Sequence, residues 1–198
     1  PGAINASQPL GGEFLYWQDS QIDALLIREV AGFQNTNLLG WYEEGLGQPQ
    51  IDGVHSGVVF EGPISQGATR TVQLPGGVTR FGFYLNPNGT GNATNAPEPE
   101  KFFTAPGYND IGPNGSGPLT GRCYLDVQCL IYDITALRGG TPTWVLAWED
   151  LDAGGTITPG YSSSGTDNDY QDLVVEVQAI GVIPVVESSW GEVKALYR

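Results

Sequence analysis

Short apolar segments separated by turn residues are the feature that most constrains the fold of this chain. Segments such as Leu38 to Tyr42, Thr79 to Leu85 and Thr143 to Trp148 are bounded by Gly, Pro and Asn. The chain has 29 Gly and 14 Pro, and only 15% of its residues are charged. This balance favours many short strands joined by tight turns over long solvated helices. We therefore predict a mainly β protein built as an antiparallel sandwich.

The predicted strands are spread along the chain from residue 13 to residue 186. Besides the three segments above, the strand candidates are Glu13 to Trp17, Gly57 to Phe60, Arg70 to Leu74, Lys101 to Thr104, Leu130 to Ile134, Leu173 to Ile180 and Val182 to Val186. The stretch between residues 86 and 121 is dominated by Asn, Gly, Pro and Thr, and a loop of this length usually has a function or a bound partner.

Two short helices are predicted, one near each end of the chain. The apolar residues from Ile22 to Val30 recur at helical spacing, and Gly32 is a suitable residue to end that helix. The segment Ser189 to Glu192 has a capping-box pattern, and Trp190 and Tyr197 then share a helical face. This apolar face either docks on a partner or packs on its own domain, which is the more common outcome.

The two ends of the chain are predicted to mediate assembly. We divide the chain into an N-terminal extension (1–12), a sandwich domain (13–181) and a C-terminal tail (182–198). An extended terminal segment can add a strand to a neighbouring subunit, and a head-to-tail repeat of that contact produces a filament. The residues assigned to assembly are Ala3, Ile4, Leu10, Trp190 and Tyr197.

The charge of the chain excludes several classes of partner. The formal net charge is −14, with only 8 Lys and Arg residues, whereas nucleic acids and anionic membranes require clustered positive charge. No apolar stretch is long enough to span a bilayer. The chain starts at Pro1 and contains no Met, so we expect a secreted or cell-surface protein from which a signal peptide has been removed.

Acidic residues are concentrated on both sides of a glycine-rich connection late in the chain. Glu149 and Asp150 end one predicted strand, and Asp167, Asp169 and Asp172 precede the next. Two antiparallel strands joined in this way would bring both groups to one end of a sheet. Calcium takes about six to eight oxygen ligands in flexible geometry, so these five residues are predicted to bind Ca²⁺. The alternative is a solvated acidic turn, because Asp is common in turns.

Cys123 and Cys129 are the two cysteines of the chain. Their spacing is not a common zinc pattern. In an extracellular chain they are predicted to form a disulfide across a turn, and the alternative is a pair of buried thiols.

Four positions match the pattern for N-linked glycosylation. They are Asn5, Asn88, Asn92 and Asn114. Three of them fall in the long Asn- and Gly-rich stretch, where an acceptor would be accessible, and the alternative is that these positions are unmodified.

Little in the sequence indicates catalysis. His55 is the only histidine, and no nucleophile-elbow motif accompanies it. We predict that the protein is not an enzyme. A monomeric carbohydrate- or surface-binding adhesin module is the alternative function, because several aromatic residues could stack on sugars. Those residues are Trp17, Trp41, Tyr42, Tyr108 and Tyr161. In a sandwich, however, aromatic residues at strand positions are more often in the core.

Four segments in order resemble a known family. They are Ile27 to Phe33 followed by Asn37 and Gly40 to Tyr42, then Arg80 to Leu85, Trp144 to Leu151 and Asp167 to Val175. Together they are similar to the secreted bacterial domain of unknown function numbered 4114, found in PEP-CTERM-type exported proteins and calcium-dependent adhesins. The resemblance implies a jelly-roll-like β-sandwich, an extracellular location, calcium binding and no established catalytic activity. Together with the assembly predicted for the chain ends, the expected function is a calcium-stabilised extracellular structural subunit that assembles with copies of itself.

Overall fold

A computed structural model describes the chain at residues 15–16, 21–30, 35–46, 49–78, 80–87, 101–105, 108, 128–149 and 170–180. These residues form two antiparallel sheets and one short 3-10 helix, Thr135–Arg138. The prediction of a mainly β, antiparallel protein is confirmed, and the two sheets fit a β-sandwich.

The first sheet contains strands from the first half of the chain. Its strands are β1 (Leu15–Tyr16), β3 (Leu38–Glu43), β4 (Ser56–Glu61), β6 (Arg80–Asn86) and β7 (Phe102–Phe103). They are arranged in the order β1-β6-β3-β4, and β7 pairs with β6. All of these pairs are antiparallel.

The second sheet combines an early strand with the last strands of the described chain. Its members are β2 (Gln21–Glu29), β5 (Thr69–Gln73), β8 (Cys129–Asp133), β9 (Thr143–Trp148) and β10 (Leu173–Ile180). Their order is β5-β2-β10-β9-β8, again with antiparallel pairs throughout.

Alternation of side chains along the strands creates the core. In β3, Leu39 and Trp41 belong to the large apolar cluster, while Leu38 and Tyr42 belong to a separate cluster. Because successive side chains of a strand point to opposite faces, the second cluster lies on the outer face of the first sheet. The first sheet is therefore apolar on both faces, which explains why its sequences read as continuous apolar runs.

The helix predicted from Ile22 to Val30 is wrong, because this segment forms strand β2. Ile22, Ala24 and Leu26 are buried at alternate positions, as a strand requires. The register with β10 then shifts between Val174 and Val175, so that Ile27 has no partner and forms a bulge. This bulge breaks the alternation, and the apolar residues before and after it therefore imitate helical spacing.

The other structural predictions for the chain ends are outside the described residues. These are the C-terminal helix at 189–198, the strand at 182–186 and the segments 1–12 and 182–198. The proposed domain limits therefore stay predictions. Across the part of the chain that the structure describes, no helix is long and apolar enough to cross a membrane.

Candidate functional site

The end of the second sheet at which β9 stops and β10 starts is the candidate functional site. Trp148 is opposite Leu173 in the β9–β10 pair. Glu149 and Asp172 each lie one residue beyond this pair, on neighbouring antiparallel strands. Opposed residues of such strands have Cα atoms about 4.5 to 5.5 Å apart. The strand pairing thus brings one residue from each of the two predicted acidic groups to the same end of the sheet.

Backbone hydrogen bonds extend this row of residues across the whole end of the sheet. Glu149 N donates to Gln128 O at 3.0 Å, and Val30 N donates to Asp172 O at 3.0 Å. The end row therefore runs from Val30 through Asp172 and Glu149 to Gln128, so each acidic position is held by backbone contacts with a neighbouring strand or its extension.

Burial makes Glu149 chemically unusual. Its exposed fraction is 1%, and that of the neighbouring Gln128 is also 1%. A buried carboxylate is costly unless hydrogen-bond donors or a cation compensate its charge. Tyr170, just before the acidic end of β10, has a left-handed backbone with φ of 53°. A left-handed non-glycine residue is uncommon and marks a locally constrained backbone.

Glu29 and Asn37 add oxygen atoms at the same end of the sandwich. Glu29 is opposite the core residue Leu173, because the bulge at Ile27 turns Glu29 rather than Arg28 to the inner face. Asn37 Nδ2 donates to Glu29 Oε1 at 3.1 Å. The Asn37 Oδ1 atom is buried and has no hydrogen-bond partner. A buried amide oxygen without a donor is suited to accept a water or a cation.

The sequence did not single out Glu29 or Gln128 as residues of the site. The sequence pattern places Glu29 on the predicted helix, whereas the strand and its bulge at Ile27 place it at this end of the sheet. Gln128 directly precedes β8, whose pairing with β9 could not be read from the sequence. An open cleft of about 170 Å³ also lies against Glu29 and is lined by Asn35, Pro63, Ile64 and Ser65.

Several predicted site residues lie outside the described residues. They are the metal ligands Asp150, Asp167 and Asp169, the cysteine Cys123, the glycosylation positions Asn5, Asn88, Asn92 and Asn114, and the assembly residues Ala3, Ile4, Leu10, Trp190 and Tyr197. Among the described residues, no group of three or more His, Cys, Asp or Glu side chains is close enough to hold a metal ion. The structure thus places two of the five predicted calcium ligands, and the full set stays a prediction.

Cys129 is buried in the core next to this site. It is opposite Trp148 in the β8–β9 pair and is a free cysteine in the structure. Burial raises the pKa of its thiol well above the usual range. Because Cys123 is outside the described residues, a disulfide between the two cysteines stays a prediction.

A second polar group is buried in the aromatic cluster on the outer face of the first sheet. The Tyr108 hydroxyl donates to Glu44 Oε2 at 3.0 Å, and the exposed fraction of Glu44 is 8%. The Tyr42 ring packs edge-on against Phe103 and Tyr108, with ring centroids 5.3 and 5.9 Å away. Burial, reinforced by the charge of Glu44, raises the pKa of Tyr42 above its usual range.

The aromatic residues proposed as sugar-stacking surfaces are largely unavailable for that role. Trp41 is in the core between the sheets, and Tyr42 is fully buried in the outer cluster. These two residues are thus in the core, where aromatic residues at strand positions of a sandwich are more often found, and they offer no stacking surface. Tyr108 is half-buried, and Trp17 and Tyr161 lie outside the described residues.

Comparisons of the chain with protein-family models, curated proteins and solved structures found no match.

Proposed function

We propose that this chain is a non-enzymatic extracellular structural subunit that is stabilised by calcium and assembles with copies of itself through its terminal segments. The observation that carries this proposal is the end row of the second sheet, where Glu149 and Asp172 lie side by side on antiparallel strands. The resemblance to the secreted bacterial domain supports the same function and location.

The residues at this end fit a hard cation. Glu149 and Asp172 would bind the ion together with Asp150, Asp167 and Asp169, and the buried Asn37 Oδ1 shows that neutral oxygen is also available at this end. Calcium supplies positive charge that offsets the repulsion among these carboxylates. The ion would join the end of β9 to the start of β10 and thereby fix the connection between them.

The winding of the chain supports the finer, jelly-roll-like part of the proposal. The chain passes from the second sheet to the first after β2, returns after β4, crosses again after β5 and returns after β7. Repeated crossing between two sheets is typical of Greek-key sandwiches. Strands β8, β9 and β10 differ from this pattern, because they follow one another as neighbours in the second sheet without crossing to the first.

Open sheet edges support assembly by strand addition. Within the described residues, β4, β5 and β8 each pair with only one other strand. An edge strand presents backbone donors and acceptors to which an extended segment of another copy can bind. The segments 1–12 and 182–198 are proposed as the donors, and head-to-tail donation would produce a filament or matrix.

Assembly is favoured over the adhesin alternative because the structure buries Trp41 and Tyr42. Electron microscopy of the full chain and of a chain lacking residues 1–12 separates the two functions. We expect filaments from the full chain and dispersed particles from the shortened one. Filaments from both chains would exclude the N-terminal segment as the donor, and dispersed full-length chains that bind glycans would favour the adhesin.

The calcium site is tested by thermal unfolding of the full chain with excess calcium and with a chelator. An ion that binds only the folded state stabilises it by about 2.7 kcal/mol at a concentration of about 100 times its Kd. We expect a higher Tm with calcium, and a much smaller shift in Asp172→Asn.

The matched control for that experiment is Asp133→Asn, because Asp133 is an exposed carboxylate at the opposite end of β8 from Cys129. This variant is expected to keep the full calcium-dependent shift. An equal shift in Asp172→Asn and in the unaltered chain would exclude Asp172 as a ligand, and no shift in the unaltered chain would exclude the site.

A further inference from the structure

Strand β8 is an edge of the second sheet and presents alternate backbone groups away from its neighbour. Among the described residues it pairs only with β9. At the register of this pair, Glu149 N donates to Gln128 O, and Ile134 N donates to Thr143 O. Because hydrogen-bonded residues alternate along an antiparallel pair, the even-numbered residues of β8 bond to β9. The N–H and C=O groups of its odd-numbered residues therefore face outward.

The other edge strands of the described chain each carry a feature that protects a sheet edge. β1 and β7 have two residues each. β4 contains a bulge, because its register with β3 shifts between Leu39 and Gly40. β5 is exposed along most of its length and carries Arg70. Natural sheets protect their edges by short length, bulges and charged side chains. β8 has a regular register, and its one charged residue, Asp133, is at its end.

The side chains of β8 are apolar on both faces of the sheet. Cys129 and Ile131 are 4% and 7% exposed and belong to the core cluster. Leu130 and Tyr132 alternate with them and are half-buried on the outer face. A strand added beside β8 would therefore contact apolar side chains on both of its own faces.

The segment 182–186 has the composition that such an edge requires. Its sequence is Val-Ile-Pro-Val-Val, so every position is apolar. In the other proposed donor, residues 1–12, Asn5 and Ser7 alternate with apolar residues and would put polar side chains against one apolar face. The segment 182–186 is therefore the better match to β8.

The segment 182–186 is too close to β10 to pair with β8 of its own chain. β10 ends at Ile180, and a strand added beside β8 would be three strand spacings from β10, beyond β9 and β8. Neighbouring strands are about 4.8 Å apart, so this distance is about 14 Å. Ile183 follows Ile180 by three residues and reaches about 11 Å at most in a fully extended chain. A segment that pairs with β8 therefore comes from another copy.

We propose that β8 is the acceptor edge for the segment 182–186 of a second copy of this chain. The inference rests on the proposed function, because it names one donor segment and one acceptor strand for the self-assembly. Strand addition of this kind takes its affinity from backbone hydrogen bonds and its specificity from the alternate side chains. The acceptor of residues 1–12 is a separate contact.

Pro184 determines which residues of the donor bond to β8. Proline has no N–H group, so within a sheet it occupies an edge position that faces away from the neighbouring strand. Ile183 and Val185 then turn their N–H and C=O groups to β8, whereas Val182 and Val186 face outward with Pro184. The new edge has proline at its centre, which opposes addition of a further strand. Each copy thus donates one segment and accepts one, and repetition of this contact produces a head-to-tail filament.

The donor is tested by electron microscopy of two proline variants of the full chain. Val185→Pro removes an N–H that bonds to β8, so dispersed particles are expected in place of filaments. Val186→Pro introduces the same residue one position later, where the N–H faces outward, and is expected to form filaments like the unaltered chain. Both positions are outside the described residues, so neither change removes a contact within the two described sheets.

The acceptor is tested with Tyr132→Lys, which places a charged side chain on the outer face of β8. This variant alone is expected to remain dispersed. It keeps an intact segment 182–186, and the Val185→Pro chain keeps an intact β8. An equal mixture of the two is therefore expected to form particles of two chains and no filaments, as measured by sedimentation velocity.

The outcomes separate this inference from the proposed function. Filaments from the unaltered chain and also from Val185→Pro, or from Tyr132→Lys, would leave the self-assembly intact and overturn the assigned contact. Dispersed particles from Val186→Pro would overturn the pairing set by Pro184, and a mixture that contains only single chains would overturn β8 as the acceptor. Dispersed particles from the unaltered chain would overturn the proposed assembly and this contact together.

Discussion

The outer faces of the two sheets differ in chemistry although both belong to antiparallel sheets of one chain. The outer face of the first sheet is an apolar cluster of Leu38, Tyr42, Tyr84 and Phe103, on which Ile51 from the 49–55 segment packs. The outer face of the second sheet carries polar side chains at one end. There Thr71 Oγ1 donates to Asp23 Oδ1 at 2.7 Å.

This difference shows that the first sheet is buried on both faces, whereas the second has a core on one face and partly exposed groups on the other. Substitutions on the two outer faces should therefore have very different costs. On the second sheet, water can replace a lost hydrogen bond; on the first, a lost side chain leaves a cavity.

Paired glycines explain how the first sheet accommodates aromatic rings on its outer face. Gly40 is opposite Tyr84, and Gly82 is opposite Tyr42. A Cβ atom added at Gly82 would lie 2.5 Å from the Tyr42 hydroxyl oxygen, and one at Gly40 would be closer still to the Tyr84 ring. Each tyrosine thus lies over the glycine of the neighbouring strand, as in other sheets in which an aromatic ring covers a glycine.

The largest expected effect comes from Tyr42→Ala, compared with Thr71→Ala on the second sheet. Tyr42 is 1% exposed and contacts Phe103 and Tyr108. Removal of a buried aromatic side chain costs about 3 to 5 kcal/mol. Thr71→Ala, on an exposed face, should change the free energy of unfolding by about 0.5 kcal/mol or less. Urea unfolding of both variants measures the difference.

Equal losses in the free energy of unfolding for Tyr42→Ala and Thr71→Ala would contradict the proposed difference between the two outer faces. They would mean that the aromatic cluster does not belong to the cooperative fold. A large cost for Tyr42→Ala alone would establish the outer face of the first sheet as a second core.

Most strands of the two sheets could be predicted from the sequence, but the second core on the outer face of the first sheet could not. The sequence predicts β3, β4, β6, β9 and β10, because these segments are apolar and bounded by turn residues. A run such as Leu38 to Tyr42 does not show what covers each face, since that depends on residues such as Phe103, far away in the chain. The role of Gly40 and Gly82 likewise depends on a register that only strand pairing sets.

The acidic end of the second sheet was predictable in part for a similar reason. The sequence places Glu149 at the end of one strand and Asp172 at the start of the next, and the structure makes those strands antiparallel neighbours. Glu29 faces the core at the same end because of the bulge at Ile27. No local sequence pattern predicts this single extra residue.

Tyr42→Phe should have a smaller effect, in the opposite direction. The Tyr42 hydroxyl is buried and makes no hydrogen bond of acceptable geometry, although Glu44 and Thr104 lie close to it. A buried polar group without a hydrogen bond costs about 1 to 3 kcal/mol, so its removal should stabilise the protein by about 1 kcal/mol. A clear loss of stability in the urea unfolding of this variant would show that the hydroxyl does have a partner.

The same variant should also change the response to alkaline pH. Tyrosine in the unfolded chain ionises near its usual pKa of 10.0, whereas burial raises the pKa of Tyr42 in the folded chain. The folded chain therefore keeps a proton that the unfolded chain loses, and stability falls as the pH rises above about 10. Tyr42→Phe should weaken this fall but leave part of it, because burial also raises the pKa of Tyr84.

The smallest expected effect concerns Asp52, in the segment that carries Ile51 onto the outer cluster. Asp52 accepts hydrogen bonds from the backbone N–H groups of Val54 and His55, at 2.8 and 2.7 Å, and its Oδ2 is 2.8 Å from His55 Nδ1. These bonds, those from His55 first, lower the pKa of Asp52 to about 2. The lowered pKa of Asp52 stabilises the folded chain above the usual aspartate pKa of 3.8, and this contribution is lost as the pH falls toward 2. Asp52→Asn should therefore lose less stability than the unaltered chain between pH 4 and pH 2 in acid unfolding curves. If the stability of the two chains falls equally between pH 4 and pH 2, the hydrogen bonds of Asp52 do not help to hold Ile51 on the outer cluster. The second core would then depend on its aromatic contacts alone.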